Sequence, residues 1–167
     1  RDSCGSGYEY RAGDAMNTAI GQGRTMVTPL QLAVAYAAVA NGGTVVTPHL
    51  GAQLRGDSTS VLVAPARGQV DADPATLAYL RHALATTTVD GTARTAFLDF
   101  PLTEYPVAAK TGTAEVAGRQ STSWFASFAP ADDPRYVVVV NQGGLGAATS
   151  GPVARAVYEQ LFGIEPS

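Results

Sequence analysis

Along the chain, apolar residues recur first at helical spacing, later in alternating or unbroken runs, and at the end at helical spacing again. Residues 14–20 predict a short helix, closed by Gly21-Gln22-Gly23, which reads as a buried turn. At Thr28-Pro29-Leu30-Gln31 a stronger start follows: Thr28 suits the cap, Pro29 the first helical position, and Gln31 the return bond to the cap's N–H. That helix runs through Leu32, Tyr36, Ala37 and Val39 to Asn41-Gly42-Gly43, which tolerate positive φ. Its alanines predict burial. Residues 44–54 and 60–64 read as a strand pair joined at Arg55-Gly56-Asp57, with Pro48 marking an edge or a split. Asp73-Pro74 opens a helix with Leu77, Leu80 and Leu84 on one face, ended by Thr86-Thr87-Thr88 and Gly91. After a connection over 92–105, three strands are predicted at 106–113, 122–129 and 135–141. Val137 to Val140 is an unbroken β-branched run, as in a strand covered on both faces. Asp132-Asp133-Pro134 makes a turn, so the last two strands are expected to be antiparallel. Pro152 opens a final helix with Val153, Val157 and Leu161 on one face and Gly163 after it. The fold class is therefore α+β, a helix packed on an antiparallel sheet. Neither an internal repeat nor a domain linker interrupts it.

Composition narrows the function classes. With 46% hydrophobic and 15% charged residues in 167, the chain can build a core. The net charge of -3 and the lack of a basic cluster argue against nucleic acid as a partner. Cys4 is the single cysteine, which rules out an internal disulfide and a thiolate zinc site; it reads as a free or buried thiol, or as one that pairs outside the chain. No cofactor or metal is expected. The apolar run from Leu30 to Ala40 is too short to span a bilayer. Because the chain starts at Arg1 and its first residues read as loop from inside a domain, a fragment of a longer protein is expected, with any export signal or anchor upstream.

One residue type is used once. Lys110 is the single lysine beside ten arginines. It follows the apolar Val107-Ala108-Ala109 near the end of a predicted strand, and Thr111 and Thr113 after it are expected on one face. Gly112 leaves the backbone bare for a ligand. An ammonium and two hydroxyls on a sheet rim suit a carboxylate, and a peptide laid there can pair with the edge. The same lysine also fits a plainer part, blunting the edge against aggregation.

Context favours the first. Lys-Thr-Gly is one of three motifs of the serine penicillin-recognising enzymes. Here Ala109-Lys110-Thr111-Gly112-Thr113-Ala114-Glu115 resembles the corresponding stretch of class B penicillin-binding proteins. Ile20-Gly21-Gln22-Gly23, Thr28-Pro29-Leu30-Gln31-Leu32-Ala33, Tyr36-Ala37 and Ala40-Asn41-Gly42-Gly43 follow that family's signature in order, and Trp124-Phe125-Ala126-Ser127-Phe128-Ala129-Pro130 is similar to its next strand. The likeness covers nearly the whole chain. It is strongest to elongation-type, penicillin-binding protein 2-like members of actinobacteria, with the septal type next.

The resemblance implies residues 1–167 of a penicillin-binding transpeptidase fold, its C-terminal part, and a peptidoglycan D,D-transpeptidase as parent. In that family a serine attacks the penultimate D-Ala carbonyl of a stem peptide, and an amine of a second stem peptide resolves the acyl-enzyme. β-Lactams acylate the same serine. Carried over, Lys110 supplies positive potential, Thr111 and Thr113 bind the carboxylate beside Gly112, and the Thr113 N–H is an oxyanion donor. The implied partners are stem peptides, β-lactams, the N-terminal part of the same protein and cell-wall elongation or division machinery, at the extracytoplasmic face of the bacterial membrane.

The chain departs from the family in one respect. It contains no Ser-x-x-Lys and no Ser-x-Asn, so it carries neither nucleophile nor base, and is expected to be inactive alone. Ser121, Ser123, Ser127 and Ser150 read as ordinary serines. A β-lactam sensor without turnover and an inactive proteolytic fragment are the alternatives. His49 and His82 read as surface or capping residues, Trp124 and Phe125 as core, and residues 119–123 as a possible cleft rim. Gly144-Leu145-Gly146 lacks the third glycine and the strand–turn–helix setting of a dinucleotide loop. Without its first two strands the family's sheet would leave the 135–141 strand unpaired and Val137 to Val140 exposed, so the chain is expected to be held by its other half or oligomerised.

Overall fold

A computed structural model describes residues 10–23, 25–55, 59–115, 118, 120–144 and 146–165. Cys4, residues 1–9 of the predicted opening loop, the Gly56-Asp57 turn, Arg119 and Leu145 lie outside the described residues. In chain order the elements are α1 (Ala12–Ala19), α2 (Pro29–Ala40), β1 (Thr44–Val45), β2 (Gln53–Arg55), β3 (Thr59–Val61), β4 (Gly68–Gln69), α3 (Pro74–Asp90), a 3₁₀ turn (Arg94–Phe97), β5 (Ala108–Ala114), β6 (Thr122–Ala129), β7 (Tyr136–Gly143) and α4 (Gly146–Phe162).

The three long strands form one antiparallel sheet in the order β5-β6-β7, with Lys110 opposite Ala126 and Phe125 opposite Val140. Side-chain alternation divides its residues between two cores. Val107, Ala109, Phe125, Ala129 and Val138 meet Ala154 and Tyr158 of α4 and the aromatics Phe97 and Phe100. Ala108 and Phe128 meet Tyr36, Val39 and Ala40 of α2 and Leu84 and Ala85 of α3 on the other side. The predicted α+β arrangement, a helix on an antiparallel sheet, is what forms.

Local chemistry explains the helix starts. Thr28 N–H donates to Gln31 Oε1 at 2.8 Å, while Gln31 N–H donates to Thr28 Oγ1 at 3.2 Å, a reciprocal box that satisfies two helix-end donors. Asp73 Oδ1 accepts from the Ala75 N–H at 3.3 Å. Around Pro48 the predicted strand splits: Thr44–Val45 pairs with Gly68–Gln69, and only Gln53–Arg55 pairs with Thr59–Val61 as expected.

Several expectations need correction. The Thr86-Thr87-Thr88 run does not end α3. Each hydroxyl donates to a carbonyl three residues back, so the threonines are accommodated inside the helix, which stops at Gly91. α2 is not buried all round. Only Ala38 and Ala40 are buried, because the helix lays one face on β6 and β7 while Leu30 is 59% exposed. Pro152 sits inside α4 rather than at its start, since the helix begins at Gly146. Its inward stripe is Ser150, Ala154 and Tyr158, and Val153, Val157 and Leu161 face out. Both stripes have helical spacing; the aromatic one wins because Tyr158 stacks with Phe162, which stacks in turn on Tyr105. The connection over 92–105 is no mere link, since it supplies Phe97 and Phe100 to the core. β7 has no strand on its outer side among the described residues, yet Val137 to Val140 are buried or half-buried beneath α2 and α4. The apolar run is covered even though its edge is free.

Candidate active site

Lys110, Thr111, Gly112 and Thr113 are consecutive on β5, the other edge strand of the sheet. Ala108 belongs to the core under α2 and α3, and Ala109 to the core under α4. Continuing that alternation, Lys110 and Gly112 issue from the first face, Thr111 and Thr113 from the second. The two threonines share a face as expected. The ammonium does not share it, and what the three residues have in common is the cleft that they line. On the strand's free edge, Lys110 Nζ donates to the Thr111 carbonyl at 2.8 Å.

Outward carbonyls on this edge are held by a succession of side chains. Thr88 Oγ1 donates to Val107 O at 2.8 Å and Thr87 Oγ1 to Ala109 O at 2.7 Å, both from α3. Lys110 takes Thr111 O, and Gln22 Nε2 donates to Thr113 O at 3.0 Å. These alternate residues therefore turn their carbonyls away from β6. In an antiparallel ladder a residue's N–H and C=O point to the same side. The Thr113 N–H thus lies on the open edge too.

In front of the edge is an open cleft of about 1110 Å³. Lys110 to Glu115 form one wall, Ile20 to Gly23 with Met26 and Val27 the opposite one, and Thr122, Trp124 and Asn141 complete it. Two neutral hydroxyls, one ammonium and an unpaired strand edge suit an extended ligand bearing a carboxylate.

Several predicted roles shift. Gly21-Gln22-Gly23 is not a buried turn: both glycines are exposed, at φ of +77° and +113°, and Gln22 is half-buried with its side chain on β5. Trp124 lines the cleft, whereas Phe125 is core as expected. Of the predicted 119–123 rim, Thr122 lines the cleft and Ser123 is fully buried. Ser123 Oγ donates to Ser150 Oγ at 2.7 Å, and Ser127 Oγ donates to Val138 O at 3.0 Å and meets Tyr158 Oη at 2.9 Å. Burial and these partners suit structural serines. His49 Nδ1 meets the Gly51 carbonyl at 2.7 Å and His82 is exposed. A strand–turn–helix setting does surround Gly144 and Gly146, contrary to expectation; the strand, however, is antiparallel and the third glycine is still missing. Two contacts of the cleft escaped the sequence reading. Thr92 Oγ1 lies 2.8 Å from Thr111 Oγ1, and Gln22 holds Thr113. Gln22 had a signal, a polar residue between two glycines; Thr92 had none.

The profile of the family described as penicillin binding protein transpeptidase domain matches residues 5–163. The chain belongs to that family. Among class B relatives it is similar to the peptidoglycan D,D-transpeptidase MrdA of Haemophilus influenzae, 34% identical over 88% of this chain and 25% of that protein. A solved structure of penicillin-binding protein A from M. tuberculosis, an imipenem acyl-enzyme complex, superposes with a TM-score of 0.73 at 31% identity, over 87% of this chain and 33% of that one. Penicillin-binding protein 2 from Helicobacter pylori superposes with a TM-score of 0.79 at 25% identity, over 99% and 30%. The chain thus spans between a quarter and a third of the length of these transpeptidase-family proteins. Among the described residues no helix is long and apolar enough to cross a membrane, and no group of three or more His, Cys, Asp or Glu is placed to hold a metal ion.

Proposed function

We propose that this chain is the C-terminal part of a serine D,D-transpeptidase domain and forms one wall of its active site. The observation that carries the reading is the edge of β5, where Lys110, Thr111 and Thr113 line an open cleft with the Thr113 amide and carbonyl on the free side. A stem peptide ending in D-Ala-D-Ala lies along this edge. Its carboxylate takes the hydroxyls of Thr111 and Thr113 and the charge of Lys110. Gly112 adds no side chain between ligand and strand. The scissile carbonyl turns its oxygen to the Thr113 N–H, a donor fixed in place by the sheet before charge develops.

The serine nucleophile, its lysine base and the second oxyanion donor come from the N-terminal part of the same domain. Their absence from this chain follows from composition, since Lys110 is the single lysine and Ser-x-x-Lys is absent; their place in the N-terminal part is what the likeness to the family implies. β-Lactams acylate that serine, a reading supported by the imipenem acyl-enzyme complex of the M. tuberculosis relative. The complete protein works on peptidoglycan at the extracytoplasmic face of the membrane, alongside the machinery of cell-wall elongation or division. The likeness to MrdA and to penicillin-binding protein 2 supports elongation.

Intact mass after incubation with a labelled penicillin tests this. The full-length protein is expected to gain one adduct and this chain alone none. An adduct on the isolated chain would overturn the division of labour, and an unmodified full-length protein would overturn the function.

A further inference from the structure

Gln22 stands where a substrate group belongs. In an antiparallel ladder, a chain added to the β5 edge opposite Thr113 would exchange two hydrogen bonds with that residue, giving its own N–H to Thr113 O and taking the Thr113 N–H. In the structure Thr113 O already has a donor, Gln22 Nε2 at 3.0 Å. The donor is well anchored. Gln22's backbone N–H bonds to Asn17 O at 2.8 Å, the end of α1, and Gly21 and Gly23 at positive φ turn the chain sharply on either side. The side chain therefore reaches β5 from a hydrogen-bonded turn, through rotatable bonds of its own.

Lower on the edge the carbonyls of Val107 and Ala109 are held by Thr88 and Thr87, whose short side chains are part of α3 and cannot leave without moving the helix. Higher up, Thr111 O and Thr113 O are held by the long side chains of Lys110 and Gln22. An incoming strand is thus barred at Ala109 and admitted only at Thr111 to Thr113. Lys110 leaves its carbonyl for a carboxylate, which compensates it with charge. Gln22 is neutral, and only another neutral N–H replaces it on equal terms.

We propose that Gln22 is a specificity-determining residue of the transpeptidase site, a competitor for Thr113 O that offsets part of the advantage an acyl donor gains from an amide N–H placed there. This rests on the transpeptidase reading above. A donor with such an N–H exchanges one hydrogen bond for another. One without it leaves Gln22 on Thr113 O and neither gains nor loses a bond there, so Gln22 narrows the difference between the two.

The test compares two β-lactams on the full-length protein: benzylpenicillin, which carries an acylamino N–H beside the reacting carbonyl, and penicillanic acid, which lacks it. The readout is the acylation rate constant of benzylpenicillin divided by that of penicillanic acid. Because both are measured on one preparation, the fraction of correctly folded protein cancels. In Gln22→Met, of similar length but without a donor, the ratio is expected to rise about 3- to 10-fold, the range that one net hydrogen bond supports. Gln22→Glu, which cannot donate to a carbonyl when ionised, is expected to move it the same way. A ratio unchanged in both variants, with both compounds still acylating, overturns the competing role and leaves the transpeptidase reading intact. No acylation of the wild-type protein by either compound overturns that reading, and the competing role with it.

Discussion

The hydroxyl of Thr92 lies 2.8 Å from that of Thr111. Thr92 belongs to the turn after α3, so the pair ties the end of that helix to the middle of the Lys-Thr-Gly strand. When Thr92 donates, Thr111 keeps its own proton for the carboxylate proposed to bind here. Replacing Thr92 by Val keeps the shape and removes the donor. Acylation of the full-length protein by penicillin is expected to slow about 2- to 10-fold, the effect of one hydrogen bond, with little change in melting temperature because Thr92 is exposed. Stopped-flow measurement with a fluorescent penicillin decides it. An unchanged rate would remove Thr92 from the site.

Lys110 tests the charge itself. Its ammonium sits on a flexible stem and rests on Thr111 O, from which it can move to a ligand. Lys110→Ala is expected to lower the acylation rate about 100-fold or more, comparable to removing one preorganised electrostatic contact. Lys110→Arg keeps the charge but replaces a compact ammonium by a wider planar fork. It should recover less than half of that loss on a logarithmic scale. Full recovery with arginine would mean that only net charge matters here.

How far this was legible in the sequence depends on the kind of signal. Caps such as Thr28 with Gln31 are local chemistry, and they were readable because neighbours along the chain make the bond. The β6–β7 pair was readable because a turn of Asp132-Asp133-Pro134 joins adjacent strands. Pairings between distant segments were not. Thr44–Val45 meets Gly68–Gln69 across a hairpin that its own residues do not announce. α4 offered two stripes of helical spacing, and nothing local says which faces the core. The choice falls to Tyr105 and Phe97, far off in sequence. Of the site, Lys110 to Thr113 were visible as a motif. Their separation onto two faces followed from strand alternation, but that the edge between them is open required the sheet order. Gln22 is 91 residues from Thr113, so no spacing rule joins them.

The threonines that misled the prediction of α3's end make a prediction of their own. Thr88 is buried, and its hydroxyl serves both Ala85 O and Val107 O. Thr88→Val leaves the Val107 carbonyl without that donor in a closed site. An unsatisfied buried acceptor costs about 1–3 kcal/mol. Thr86→Val, at an exposed position bonded only within the helix, is expected to cost under about 1 kcal/mol. Urea denaturation of the two variants should rank them so. Equal midpoints would mean that α3 does not depend on Thr88 to hold β5.

Tyr158 links the sheet to α4 at the centre of the core, with no measurable exposure and its hydroxyl 2.9 Å from Ser127 Oγ. Burial pushes its pKa upward, and the hydrogen bonds it makes with Ser127 and with the Val138 backbone only partly oppose this. The phenol is therefore neutral in the folded protein well past the ordinary tyrosine value of about 10. Below that value both folded and unfolded chains hold the proton, and the contribution of Tyr158 to stability is complete. Above it the unfolded chain loses the proton while the folded one keeps it, so stability falls as pH rises, with a limiting slope of about 1.4 kcal/mol per pH unit for one such group. Tyr36 is shifted upward by burial as well and adds to the decline. Tyr158→Phe should lose roughly 1 kcal/mol at neutral pH with its hydrogen bond. Between about pH 9.5 and 11.5 the variant should then fall more gently than the wild type, because its ring has no proton to release. Urea midpoints for both proteins across that range measure the difference. Parallel curves would mean that the Tyr158 phenol ionises as easily in the folded core as in the unfolded chain.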